Sequence, residues 1–163
     1  MNDVLGRFMG YTLALFVFML SVVLIIVDYQ SSIQEQVGQQ VVNFVNECRE
    51  TGVVNADDYT NLVWRVAVYG RYNMQFKIEQ KKEYSEYDSS NRLVTRTGFE
   101  TVDPDAFGEA MGEGHNFTLK AGDRVSVKVT EGEGNFATKM KKAVTFADQS
   151  KNVIINYGGT VGE

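Results

Sequence analysis

The stretch FMGYTLALFVFMLSVVLIIV, residues 8–27, decides how this chain is organised. It contains no charged residue and no proline, and its polar side chains are Tyr11, Thr12 and Ser21. Twenty helical residues span about 30 Å, which matches the hydrocarbon core of a bilayer. The stretch therefore predicts one membrane-spanning helix.

Two other interpretations of residues 8–27 stay open. A cleaved secretory signal usually has a shorter apolar core followed by small residues, whereas this run continues into VDYQ at residues 27–30. A helix buried in a soluble core rarely stays uncharged on all sides over such a length. The flanks and the length favour an uncleaved anchor over both.

The charges that flank the apolar run predict its orientation. Arg7 precedes the run, and the next basic residue after it is Arg49. Cytoplasmic flanks carry the excess of Lys and Arg. Residues 1–27 are therefore predicted to form a cytoplasmic N-terminus and a transmembrane helix, and residues 28–163 an extracytoplasmic domain. We expect membrane lipid as a partner.

An amphipathic pattern continues the helix beyond the run. No proline interrupts residues 8–49, and Gly38 costs only about 1 kcal/mol relative to alanine. The pattern predicts one helix of about 45 residues, whose second part, residues 28–51, is a stem. The stem's narrow apolar stripe is predicted to pack against a head, through Ile33, Val37, Val41, Phe44, Val45 and Cys48.

A second, shorter helix follows. Gly52 is suited to end the first helix, and Asn55 is a good N-cap for a helix that closes at Gly70. We expect Trp64 on this helix to pack partly into the core. The core-facing stripe of the second helix consists of Tyr59, Leu62, Val63, Val66 and Tyr69.

Period-two alternation predicts strands in the rest of the chain. A polar turn is expected between two strands of a hairpin, and one helical turn in the connector that follows it. A second hairpin and a last strand complete the head, so the fold class is α+β: a long N-terminal hydrophobic helix continuing as an amphipathic stem, packed on a small, mainly antiparallel sheet. The segments are strand 72–78, turn 81–91, strand 92–101, helical turn 106–111, hairpin 117–129 and strand 152–157.

Composition argues against several function classes. A net charge of −5 without a long basic run disfavours nucleic-acid binding. One Cys and one His cannot form a zinc cluster or a disulfide framework. The acidic loop at Asp103 fails as a calcium loop, because Phe107 and Gly114 occupy ligand positions. We therefore expect no catalytic, metal or cofactor site, no cofactor and no small-molecule substrate.

The elements together resemble type IV pilins and pseudopilins. More narrowly they resemble TadE-like pseudopilins of tight-adherence pili and their relatives in Gram-positive bacteria and conjugative elements. The resemblance lies in the apolar run, the stem with QVVNFVNECRETGVVNADDYTNLV, KAGDRVSVKV and the terminal NVIINYGGTV. One feature departs from it. Such prepilins are commonly cut after a glycine, and the fifth residue of the mature chain is Glu. Here the fifth residue after Gly6 is Tyr11 and the fifth after Gly10 is Leu15, so neither glycine fits.

The resemblance implies a structural subunit, a major or minor pilin or pseudopilin. Such a subunit belongs to a cell-surface filament or to a secretion or conjugation apparatus, in the cell membrane or in an extracellular filament. It would form homo-oligomers, or assemble with other pilins, through its N-terminal helix. The G-x-x-x-G pair at the start of the run lets helices approach closely, so the assembly residues are predicted as Gly6, Gly10, Leu13, Phe16, Leu20, Val23 and Val27.

Two alternatives remain beside this interpretation. The chain could be a monomeric, membrane-tethered binding module whose head captures a partner. An anchored enzyme is the third hypothesis, with His115 and the carboxylates in residues 103–113 as its only candidates.

Overall fold

The computed structural model describes residues 2–132 and 153–162, without the side chains of residues 2–5 and 27. Three helices and six strands lie in this part of the chain. They are α1 (Asn2–Thr51), β1 (Val53–Val54), α2 (Ala56–Val68), β2 (Tyr72–Tyr87), β3 (Leu93–Thr101), α3 (Pro104–Gly112), β4 (Phe117–Thr118), β5 (Arg124–Glu131) and β6 (Val153–Thr160).

The predicted long helix is confirmed, because α1 runs without interruption for 50 residues. It ends where Gly52 adopts a φ of +68°, a left-handed conformation in which a side chain would be strained. The Gly52 amide donates to the Cys48 carbonyl at 3.0 Å, which satisfies one of the last carbonyl groups of the helix.

The second helix is also confirmed. The Asn55 side chain caps α2 by accepting a hydrogen bond from the Asp57 amide at 2.8 Å. Leu62 and Val66 of the predicted stripe are buried. The expectation for Trp64 was wrong, since its side chain is 69% exposed. Trp64 lies about 200° around the helix from Leu62, on the face turned away from the core.

The main sheet has the order β3-β2-β5-β6, and every pair in it is antiparallel. Residues 72–79 of β2 pair with β5, and residues 79–87 pair with β3. The predicted turn over 81–91 was therefore too long, because the strand continues to Tyr87. The turn itself is held by Asp88, whose carboxylate accepts from the amides of Ser90 and Arg92 at 2.8 and 2.9 Å.

The predicted hairpin over 117–129 was wrong. β4 pairs with β1 in a separate two-stranded sheet, with Val53 opposite Thr118. A buried carboxylate explains why the chain does not fold back directly: Asp123 accepts from the amides of Lys81 and Lys120, both at 2.8 Å. Its two oxygens therefore hold the KAGD turn against β2, so β5 pairs with β2 instead of β4.

The last strand was expected over 152–157 and is longer at its C-terminal end. Asn152 lies outside the described residues, and β6 continues through the glycine pair to Thr160. A Cβ atom on Gly158 would lie 2.6 Å from the Cβ atom of Ser126 on β5. One on Gly159 would collide with the Arg49 side chain. Glycine at both positions lets the strand approach its neighbours.

The core lies between the stem and the sheet. Val127 and Val129 of β5, and Ile78 of β2, are buried in this core together with the stem residues. Rings extend this core toward α2 and α3: the centroid of Phe76 lies 4.7 Å from Tyr59 and 6.0 Å from both Phe44 and Phe107. The fold is thus α+β, an architecture consistent with the pilin-like fold that the resemblance implies.

Candidate functional site

The first half of α1 is exposed although it is apolar. Twelve large apolar side chains from Phe8 to Ile25 are between 52% and 75% exposed. This part of α1 is long and apolar enough to cross a membrane, and none of its most apolar window is buried. We call residues 8–27 the apolar half. Exposing this surface to water is unfavourable by about 25 cal/mol per Å² of apolar area, so this half is a candidate membrane span.

Two of the three polar side chains in the apolar half, those of Thr12 and Ser21, are satisfied within the helix. The Thr12 hydroxyl donates to the Phe8 carbonyl, and the Ser21 hydroxyl to the Val17 carbonyl, each at 2.9 Å. Hydroxyls bonded in this way need no partner from water, which makes them tolerable in lipid. The apolar half can thus be transferred out of water without leaving these two donors unpaired.

The residues predicted for assembly lie in the apolar half, except Gly6, which precedes it. Nothing lies within 4 Å of the Cβ position of Gly6 or Gly10, so both backbones can be approached closely. A shallow groove of about 540 Å³ lies around Gly10, with Phe8, Leu13 and Phe16 in its walls. Leu13, Phe16 and Leu20 are exposed and Val23 is half-buried; the Val27 side chain lies outside the described part of the chain.

The predicted stem residues meet the head. Val37, Val41, Phe44, Val45 and Cys48 are buried in the core, and Ile33 packs partly buried against it. Burial, with the nearby carboxylates of Glu47 and Asp58, raises the pKa of the Cys48 thiol to about 12. A thiol held neutral in this way is a packing group and a poor nucleophile.

Polar contacts fix the stem to the head at both ends. At the C-terminal end of the stem, the Arg49 Nε donates to the Thr160 carbonyl at 3.0 Å. At its N-terminal end, the side-chain amide of Gln30 donates to a carboxylate oxygen of Glu131 at 2.9 Å. Because Glu131 is only 6% exposed, losing this contact would leave a charge poorly solvated. The stem is therefore attached to the head over about five helical turns.

The predicted hairpin, with its second strand over 92–101, is confirmed, but it is a longer two-stranded ribbon than the sequence indicated; we call its residues 80–100 the arm. It extends beyond the part of β2 that pairs with β5, and most of its side chains on both faces are exposed. At its tip Tyr87 lies opposite Leu93. The sequence KKEYSEY, residues 81–87, gave little indication of a strand, because polar residues occupy both of its faces.

The arm is braced by its own side chains. Arg96 pairs with Glu86 at 2.6 Å and Lys82 with Glu100 at 3.4 Å. At its base the Arg124 guanidinium lies 3.9 Å from the centroid of the Phe99 ring, a cation–π contact. Isolated two-stranded ribbons are marginally stable, so these contacts help the arm to keep its shape.

The candidates for catalysis are exposed on the surface. His115 Nδ1 is 3.4 Å from a Glu113 carboxylate oxygen, and both side chains are exposed. Asp103 is engaged as the N-cap of α3, accepting from the Asp105 amide at 3.2 Å. Within residues 2–132 and 153–162, no group of three or more His, Cys, Asp or Glu side chains is arranged to hold a metal ion.

Comparison of the chain with protein-family models, curated proteins and solved structures finds no match in any of the three.

Proposed function

We propose that this protein is a structural subunit, pilin-like or pseudopilin-like, of a cell-surface filament or a secretion or conjugation apparatus. The observation that carries the proposal is the unequal coverage of α1. The stem is covered by the chain's own head, whereas most of the large apolar side chains in the apolar half are exposed. A monomer in water would leave that half unfavourably solvated.

Two environments can cover the apolar half. Lipid surrounds it while the subunit is in the membrane, and identical helices surround it in a bundle, where its surface also avoids water. A helix stable in both settings can be transferred from one to the other. This is the physical requirement for a subunit that is stored in a membrane and assembled into a polymer.

The topology is part of the proposal. The N-terminus with Arg7 lies in the cytoplasm, and the head lies outside. The assembly surface is the face carrying Gly6, Gly10, Leu13, Phe16, Leu20, Val23 and Val27, with close backbone approach at the glycines. The head then faces solvent and determines what the assembly binds.

Electron microscopy of sheared cell-surface material tests the proposal. Cells producing the protein with an epitope after Ser89, in the exposed turn of the arm, would be sheared and the filaments labelled with antibody. We expect labelled filaments, and none from cells producing Gly10→Leu, which blocks close helix approach while keeping the run apolar. Unlabelled material with the protein fully retained in membranes would contradict assembly.

The arm favours a second candidate function. A ribbon exposed on both faces, with Tyr87 and Leu93 exposed at its tip, is suited to capture a partner, because tyrosine is enriched in binding surfaces. The protein would then be a membrane-tethered monomeric binding module. Crosslinking in membranes separates the two: crosslinks between apolar halves support assembly, and crosslinks only from the arm to another protein support the module.

A further inference from the structure

The end of the head nearest the apolar half is fixed at a defined height on α1. Gln30 contacts Glu131 at the end of β5, and Glu131 lies opposite Tyr72 at the start of β2. The Gly132 amide also donates to the Arg71 carbonyl at 2.8 Å. A Cβ atom on Gly132 would be only 2.6 Å from that carbonyl oxygen, so the two chain segments are tightly joined. We call residues 71–73 and 130–132 the seat.

The seat lies close to the end of the apolar run. Gln30 follows Val27 by three residues, a rise of about 4.5 Å along the helix. The headgroup layer on each side of the hydrocarbon core is roughly 5–7 Å thick. The distance from the end of the run to the seat is thus within the thickness of the headgroup layer.

Several side chains at this height are of the types that lipid interfaces favour, beside the acidic Asp28 and Glu131. Tyr29 is 68% exposed, two residues beyond the run, and Tyr72 is half-buried in the seat. Arg71 and Asn73 of the seat are exposed. Amphipathic rings and basic side chains are enriched at the membrane–water boundary, where one end meets lipid and the other meets water.

From this placement we propose that the seat rests on the phospholipid headgroups of the outer leaflet, so that the head contacts the membrane directly. This inference depends on the membrane placement of the apolar half proposed above. The occupant is a lipid surface, and the seat is held on it by the contact between the stem and the head. Transfer into a filament would then require breaking these head–lipid contacts as well as extracting the helix.

Fluorescence quenching by headgroup-labelled lipid tests the inference with the full chain. Cysteine is introduced at Asn73, in the seat, or at Ser89, in the arm turn as the matched control; both positions are exposed. The native Cys48 is buried with a raised pKa, so a dye reacts selectively at the new thiol. Each protein is reconstituted in phosphatidylcholine–phosphatidylglycerol vesicles with fewer than one chain per vesicle, which removes neighbouring copies as quenching partners.

We expect a quencher on the lipid headgroup to reduce emission from the Asn73→Cys probe several-fold more than from the Ser89→Cys probe. Equal quenching at both positions, in protein that floats with the vesicles and resists carbonate extraction, would overturn the seat while leaving the span intact. Protein that does not float with the vesicles would overturn the span and the seat together.

Discussion

The two halves of α1 have similar apolar side chains and different surroundings. In the stem, Val37, Val41 and Val45 are fully buried by the head. In the apolar half, side chains of equal hydrophobicity such as Leu13 and Phe16 are exposed. One continuous helix thus carries an apolar surface that the fold satisfies and another that the fold leaves for an external environment. The comparison separates the apolar surface that this chain buries in its own fold from the apolar surface that its fold leaves exposed.

The largest expected effect comes from placing a charge on the buried face of the stem. Val41→Asp would bury an unpaired carboxylate at a fully buried position, and we expect a loss of about 4–5 kcal/mol or more in the free energy of unfolding of the head. Amide hydrogen exchange of β5 measures this loss. The exposed neighbour Asn43→Asp should change stability by less than about 0.5 kcal/mol. Equal protection in both variants would show that the stem is not part of the core.

Thiol reactivity compares the two faces of the stem. The pKa of Cys48 is raised from an ordinary 9.0 to about 12, so its thiolate population in the folded protein should be about a thousandfold lower. Labelling near pH 8 should be slower by a similar factor than at Ser31→Cys in a Cys48→Ala background, because Ser31 is exposed. Similar labelling rates would mean that Cys48 is reached by solvent in the native state.

The same shift gives a pH dependence with a definite sign. The folded state disfavours the thiolate, so the contribution of Cys48 to stability is complete below pH 9 and is lost as pH rises toward 12. The wild-type protein should lose stability faster than Cys48→Ala over this interval in urea unfolding experiments. Parallel curves for the two proteins would contradict the burial of the thiol.

A charge in the apolar half should impair membrane insertion without affecting the stability of the head. Leu20→Asp is expected to cost about 3 kcal/mol in membrane insertion, because the carboxylate has no partner in lipid or in a helix bundle. Carbonate extraction measures retention in the membrane, and the volume-conserving Leu20→Met should be retained normally. Normal insertion and assembly of Leu20→Asp would count heavily against a span at residues 8–27.

A smaller contrast lies within α2. Leu62→Ala removes a buried side chain and should destabilise the head by about 2–3 kcal/mol, whereas Trp64→Ala should change stability by less than about 0.5 kcal/mol. Urea unfolding of both variants provides the measurement. A large loss from Trp64→Ala would mean that the indole is covered in the folded protein, as the sequence analysis expected.

The sequence predicted most of what depends on local periodicity. The long helix, its stripe from Ile33 to Cys48 and the Asn55 cap follow from spacing along one element. The helical spacing of Leu62 and Val66 also places Trp64 on the opposite face of α2. This spacing argues against the partial core packing that was expected for Trp64. The resemblance to pseudopilins, the assembly surface and the orientation stay predictions.

The remainder depends on contacts between distant segments. The partner of β4 is the two-residue strand β1, more than 60 residues earlier, and no local pattern indicates that pairing. The length of the arm was underestimated because neither of its faces is buried, so residues 81–87 lack an apolar alternation. The attachment of the head to the N-terminal end of the stem joins Gln30 to Glu131, two polar residues 101 positions apart, whose proximity only the folded chain reveals.

Sedimentation of the full-length protein in buffer without detergent tests most directly whether residues 8–27 depend on surroundings that the chain does not provide. We expect large self-associated species that dissociate when detergent or lipid is added, with the amide-exchange protection of β5 unchanged throughout. A single monomeric species in plain buffer, with the head folded, would contradict the account.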